Sequence, residues 1–256
     1  MTSLILDPAA ADILCVTPDY PDLCALVAGK IAALIQEKPD AVLGLATGST
    51  PLGVYEHLVH LHRNDGLDFS DVTCFNLDEY YPMLPESLHS YHSFMQHNLF
   101  RHINCRNWFM PDGRPRSEEQ ITEDCRNYEA HIDAVGGIDL QLLGIGRTGH
   151  IGFNEPQSAP ESRTRLVTLA VETREDAAAS FGGLGNVPTQ AVSMGIGTIL
   201  DARLIIMMAS GIGKAEVARA AWTDPISADL PASWIRRHTN ALLCLDKSAA
   251  DLLRSV

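Results

Sequence analysis

With 256 residues, 46% of them hydrophobic and 20% charged, the chain can bury a substantial core, which excludes a disordered or low-complexity protein. Its formal net charge of −13 argues against a nucleic-acid partner, because that binding runs on Lys and Arg displacing counterions from phosphate. No apolar run approaches the roughly 20 residues that span a bilayer, and Met1 to Asp12 lack the basic flank of a signal peptide, so no membrane partner and a cytoplasmic location are expected.

Along the chain, Leu23, Leu26, Val27, Ile31, Leu34 and Ile35 recur at helical spacing. That helix must stop at Lys38-Pro39, because the residue before a proline is pushed out of the helical region. A strand is expected over Ala41–Leu45, and Pro51 opens a second helix through about His62. Val72–Leu77 reads as the next strand. Helices are expected near Tyr91–Leu99 and over Glu118–Val135, followed by a strand at Leu140–Leu143. Leu204–Met208 and Ala241–Cys244 bring the strands to five, with helical patterns beginning near Gly213 and Ser248. Strands alternating with helices predict an α/β fold, a mainly parallel sheet with helices on both faces, in one domain over residues 1–256. Six cysteines (Cys15, Cys24, Cys74, Cys105, Cys125 and Cys244) are scattered without a C-x-x-C pair and read as free thiols of a reducing compartment.

In such a sheet the chemistry belongs at the carboxyl ends of the strands, and four segments there carry suitable groups. Thr47-Gly48-Ser49-Thr50-Pro51 passes from a strand into a helix, offering backbone N–H groups, hydroxyls and a helix dipole to an anion. It lacks both the Walker lysine and G-x-G-x-x-G, so a single phosphate suits it better than a nucleotide; an ordinary capped turn is the alternative. Asp78 and Glu79 follow the strand at 72–77, where a carboxylate could remove a proton from carbon beside a carbonyl, or simply cap a helix. The stretch from Gly144 to about Arg163 is the longest without periodicity, and loops of that length are usually functional. Within it His150 stands among glycines, able to shuttle protons near neutral pH, with Glu155 placed to orient it. Lys214, at a further strand end, could pair with a phosphate as a point charge, although a lysine taken alone is more often a solvated surface residue. Arg174 precedes the glycine-rich Phe181–Asn186 and reads as part of a lid or of a surface ion pair. The remaining histidines do not converge at metal-ligand spacing, so neither a metal site nor a cofactor is expected.

Together, Leu45–Gly53, Phe75-Asn76-Leu77-Asp78-Glu79-Tyr80, Gly149-His150-Ile151-Gly152-Phe153-Asn154-Glu155-Pro156 and Gly213-Lys214-Ala215 resemble the glucosamine-6-phosphate deaminase (isomerase) family in order and spacing. The resemblance implies a Rossmann-like fold of the ribose-phosphate isomerase and coenzyme A transferase kind. It also implies conversion of an amino-sugar phosphate to fructose 6-phosphate and ammonia, by a monomer or a homo-oligomer. On that resemblance His150 opens the sugar ring and Asp78 moves the proton from C2 to C1. Thr47, Gly48, Ser49, Thr50, Arg174 and Lys214 hold the phosphate, and Gly144 and Glu79 contact the sugar. A galactosamine-6-phosphate isomerase, a sugar-phosphate lactonase and a non-catalytic sensor are the rival readings.

The sequence departs from the family pattern twice. Thr148 stands where many members carry an aspartate two residues before the histidine, so Glu155, with Thr148 as a neutral partner, is expected to orient His150. The chain also stops soon after Asp251-Leu252-Leu253, without the tail that completes the effector site of allosteric members. Hyperbolic kinetics unaffected by N-acetylglucosamine 6-phosphate are therefore expected, even though Arg165 matches an effector-site arginine.

Overall fold

The computed structural model describes residues 14–253. The chain begins β1 (Leu14–Thr17), α1 (Tyr20–Glu37), β2 (Val42–Leu45), α2 (Leu52–Asp65), β3 (Thr73–Asn76), β4 (Asp78–Tyr81), α3 (Tyr91–Asn98), β5 (Asn107–Phe109) and α4 (Glu118–Ala134). It continues β6 (Leu140–Leu143), β7 (Arg165–Thr168), α5 (Val171–Ala177), β8 (Gln190–Ser193), α6 (Ile196–Leu200), β9 (Leu204–Ala209), α7 (Ala215–Thr223) and β10 (Ala241–Asp246).

Helix ends follow local chemistry. The Asp19 carboxylate accepts the Asp22 N–H at 3.0 Å to start α1, and Ser117 with Gln120 forms a reciprocal capping box at α4. At the end of α2, Gly66 takes φ 74°, which closes the helix in a left-handed cap.

Seven strands form one sheet in the order β1-β10-β9-β6-β2-β3-β5, every neighbouring pair parallel. Successive residues on a strand face opposite sides. On β9, Ile205, Met207 and Ala209 join Tyr128 and Ile132 of α4, Ile199 of α6 and Ala218 of α7 in one core. Ile206 and Met208 meet Ile31 of α1, Tyr55 of α2 and Met95 of α3 in the other. The sheet is therefore covered on both faces, which is why its central strands read as continuous apolar runs. This is the Rossmann-like α/β fold expected.

A second sheet was not announced by the sequence pattern. β4, β8 and β7 pair antiparallel in that order, with Asp78 opposite Ser193 and Arg165 also opposite Ser193. The chain crosses into it at Leu77, whose N–H still bonds Leu45 of β2 while its carbonyl accepts Met194 N–H. The helical pattern near Ser248 resolves into a 3-10 turn at Asp251–Leu253, and positions 254–256 lie outside the described residues. Among the described residues no helix is long and apolar enough to cross a membrane.

Candidate active site

The site sits where the sheet changes winding direction. From β2 the chain moves to β3 on one side, whereas from β6 it reaches β9 on the other, so the loops leaving the adjacent β2 and β6 diverge and leave a crevice between them. A cavity of about 290 Å³ occupies that crevice, lined by Thr47, Gly48, Ser49 and Thr50 from the first loop and by Gly144, Arg147 and His150 from the second. Asp78 and Lys214 face the same space.

The 47–50 loop is fixed from behind. Tyr20 of α1 lies within 3.0 Å of Thr50 O and accepts the Gly53 N–H at 3.0 Å, and the buried Tyr55 hydroxyl donates to Ala46 O. Tyr20 thus takes the Gly53 amide, while Pro51 at the cap position carries no capping side chain, so the other amides at the start of α2 keep their capacity for a ligand. Gly48 adopts φ 98° with open space where a Cβ would stand, a conformation that lets the backbone approach an anion.

Asp78 and Glu79 are separated by the pleat of β4. Asp78 turns into the cavity and is only 4% exposed. Burial, reinforced by the charge of Glu79, pushes its pKa up to about 8 against the lowering effect of the Thr47 hydroxyl. Glu79 turns the other way, under α3, where its carboxylate accepts the N–H groups of Tyr91 at 3.0 Å and His92 at 2.9 Å. Burial raises its pKa to about 7. It does not line the cavity and serves as a helix anchor.

His150 is held by a tight turn and by its neighbours. Gly149 N–H bonds Gly146 O at 3.1 Å, and Gly146 N–H bonds His150 O at 2.9 Å. A Cβ on Gly146 would lie 2.1 Å from the His150 ring, so that position must be glycine for the imidazole to pack there. Nδ1 of His150 lies 2.9 Å from Thr148 Oγ1, 3.3 Å from Thr173 Oγ1 and 3.4 Å from Glu155 Oε2. The single Thr148 hydroxyl proton goes to Glu155 Oε2 at 3.2 Å, so Thr148 accepts from Nδ1–H and Nε2 is left as the basic nitrogen. Burial works to raise Glu155, but hydrogen bonds from His150 and Thr173 outweigh it and hold the carboxyl below its usual range. Gly146→Ala is expected to lower kcat/KM at least about tenfold with little change in melting temperature, since its backbone is not in the left-handed region and the atoms nearest the added methyl are those of the imidazole. Kinetics beside a thermal melt check it.

Three comparisons bear on this arrangement. The model of the family described as glucosamine-6-phosphate isomerases/6-phosphogluconolactonase matches residues 20–244. The chain belongs to that family. Glucosamine-6-phosphate deaminase of Bacillus velezensis is 46% identical over 233 residues, covering 90% of this chain and 95% of the relative. Glucosamine-6-phosphate deaminase 1 of Bacillus subtilis is 43% identical, covering 91% and 96%. Among solved structures, a monomeric glucosamine-6-phosphate deaminase superposes with a TM-score of 0.90 at 42% identity, over 94% of this chain and 99% of that one. A 6-phosphogluconolactonase from Trypanosoma brucei, at 20% identity and TM-score 0.77, shares the fold.

Two of the phosphate groups expected from the family resemblance are placed differently from each other. Lys214 lines the cavity and donates to Ile145 O at 2.8 Å, its pKa lowered by burial. Arg174 does not line it: Nη2 donates to Leu184 O and Val187 O, each at 3.1 Å, tying α5 to the turn beyond. Sequence reasoning passed over Arg147, Thr173, Tyr80 and Phe153, all of which face the cavity. Arg147 sat within the glycine-rich loop already singled out, and Tyr80 stands two residues after Asp78 on one face of β4, so both signals were readable. Tyr91 also lines the cavity, whereas Leu88 is exposed and Ser233 is buried, bonded to Ser227. A larger groove of about 900 Å³ runs between α4 and β7, lined by Arg126, Glu129, Arg163 and Arg165. It lies apart from Asp78 and His150, and converging reactive groups, not volume, identify a site.

Proposed function

We propose that this chain is a glucosamine-6-phosphate deaminase that produces fructose 6-phosphate and ammonia. The observation that carries this reading is the convergence of Asp78, His150 and the 47–50 loop on one cavity. With the phosphate at the loop and Lys214, the sugar extends toward the two proton-transfer groups. His150 Nε2 takes the proton of the C1 hydroxyl and passes it to the ring oxygen, opening the ring to an aldehyde. Asp78 then removes the C2 proton, which the aldehyde makes acidic, and delivers a proton to C1. The resulting C2 iminium adds water and expels ammonia, leaving the ketose.

Family membership and the identities above 40% to deaminases over nine-tenths of the chain support the choice of substrate. The net charge of −13 and the small cavity support a small-molecule partner and not a nucleic acid. We assign the catalysis to a single domain working in the cytoplasm, and a monomer is the simplest assembly given the monomeric structural relative. Incubation with glucosamine, galactosamine and gluconolactone 6-phosphates in deuterated water, following ammonia, ketose and acid, tests the reading. One equivalent of ammonia and one deuteron at C1 of fructose 6-phosphate is the expected result; lactone hydrolysis without ammonia release rejects it.

A further inference from the structure

The imidazole of His150 is held from two sides, and only one of them belongs to its own loop. Thr148 and Glu155 come from the stretch that carries His150, whereas Thr173 reaches it from α5, with Oγ1 3.3 Å from Nδ1. Two further bonds fasten α5 to that stretch: Ala170 N–H, at the cap of α5, donates to Glu155 Oε1 at 3.2 Å, and Arg147 Nη2 donates to Glu172 O at 2.9 Å. Thr173 is only 7% exposed, and it lines the cavity beside His150. We propose, resting on the deaminase reading for the reaction served, that Thr173 is a positioning residue for ring opening, its hydroxyl holding the Glu155 carboxylate and the His150 ring in line from the α5 side.

The proton count leads to this role. Nδ1 carries the proton that Thr148 accepts, so it cannot also accept one from Thr173. The Thr173 hydroxyl therefore faces Nδ1–H as an acceptor, and its own proton is left for a carboxylate. Glu155 is that carboxylate: Thr173 is among the groups that hold its carboxyl below the usual range against the opposing effect of burial. The two threonines thus bracket Nδ1–H and pass the pull of one negative charge to it. They differ in what they follow. Thr148 moves with the histidine, whereas Thr173 moves with α5, so the seat of α5 on the loop sets the direction in which the ring-opening base points.

The test compares Thr173→Val, which keeps the shape and removes the hydroxyl, with Thr173→Ser, which keeps the hydroxyl. On glucosamine 6-phosphate, Thr173→Val should lower kcat about tenfold, the scale of one hydrogen bond to a charged group, while KM stays within about twofold. Thr173→Ser should recover most of that loss. Added to Glu155→Gln, the valine should cost less than about twofold more, because the charge it helps to hold is already gone. Deuterium exchange at C1 of fructose 6-phosphate supplied with ammonia should survive in Thr173→Val, since that route needs no ring opening. Nitrogen NMR of the free enzyme labelled at histidine puts the question without turnover: wild type should hold His150 as the Nδ1–H tautomer, and Thr173→Val should show a share of the Nε2–H form. A loss as large in Thr173→Ser as in Thr173→Val, the full loss repeated in the Glu155→Gln background, C1 exchange that falls in step with kcat, or an unchanged tautomer in Thr173→Val overturns the proposal. Failure of wild type to release ammonia rejects the deaminase reading instead, and the tautomer measurement still decides the role of Thr173.

Discussion

Asp78→Asn should lower kcat by about 10³-fold, the scale of a lost general base, while leaving the protein at least as stable as wild type above pH 8. The two halves of this expectation have one cause. Asp78 is buried, and burial lifts its pKa from 3.8 to about 8. Between those values the folded chain holds a proton that the unfolded chain has released, so stability is full below the lower value and declines as pH rises through the upper one. Asparagine keeps the shape without the buried charge, and a thermal melt at pH 8.5 should show no loss. A melting temperature that fell along with activity would mean that the carboxyl maintains structure, and the base assignment would not stand.

The same titration sets the pH profile. A base must be ionised to act, so kcat/KM, which reports free enzyme, should climb with pH toward about 8. In the bound complex the cationic amine beside C2 favours the carboxylate, so the acid limb of kcat should lie at lower pH than that of kcat/KM. Coincident limbs in rate measurements from pH 5 to 9 would contradict a role for Asp78 next to the amine.

How far the sequence carried this picture depended on burial. β2, β6 and β9 are covered on both faces, so their apolar runs announced them. β4 is Asp-Glu-Tyr-Tyr, and nothing local marks it as a strand. It forms because its register against β8, more than a hundred residues away, satisfies its backbone. That pairing also decides the issue between the two acids, since the pleat sends Asp78 to the cavity and Glu79 under α3. Similarly, Arg174 reads as part of a lid or of a surface ion pair, whereas it sits on α5 and bonds the carbonyls of Leu184 and Val187. Which carbonyls Arg147 and Arg174 bond is likewise tertiary, and no spacing encodes it.

His150→Asn should also cost on the order of 10³-fold in kcat from the cyclic amino sugar, the upper range for a positioned acid-base group. Its support is graded. Only Glu155 among the partners of Nδ1 carries charge, so only it stabilises the imidazolium that forms when Nε2 takes a proton. Glu155→Gln should therefore lower kcat on the order of 10²-fold, whereas Thr148→Ala, which lets the carboxylate close the 3.4 Å gap directly, should cost about tenfold or less. Equal losses would mean that the Thr148 hydroxyl, not the charge behind it, prepares the histidine. A further measurement separates the two reactive groups. When fructose 6-phosphate and ammonia are supplied in deuterated water, the open-chain imine reaches Asp78 without ring opening by the enzyme. Exchange at C1 should then survive in His150→Asn and disappear in Asp78→Asn, and loss of exchange in both would deny His150 a role confined to the ring.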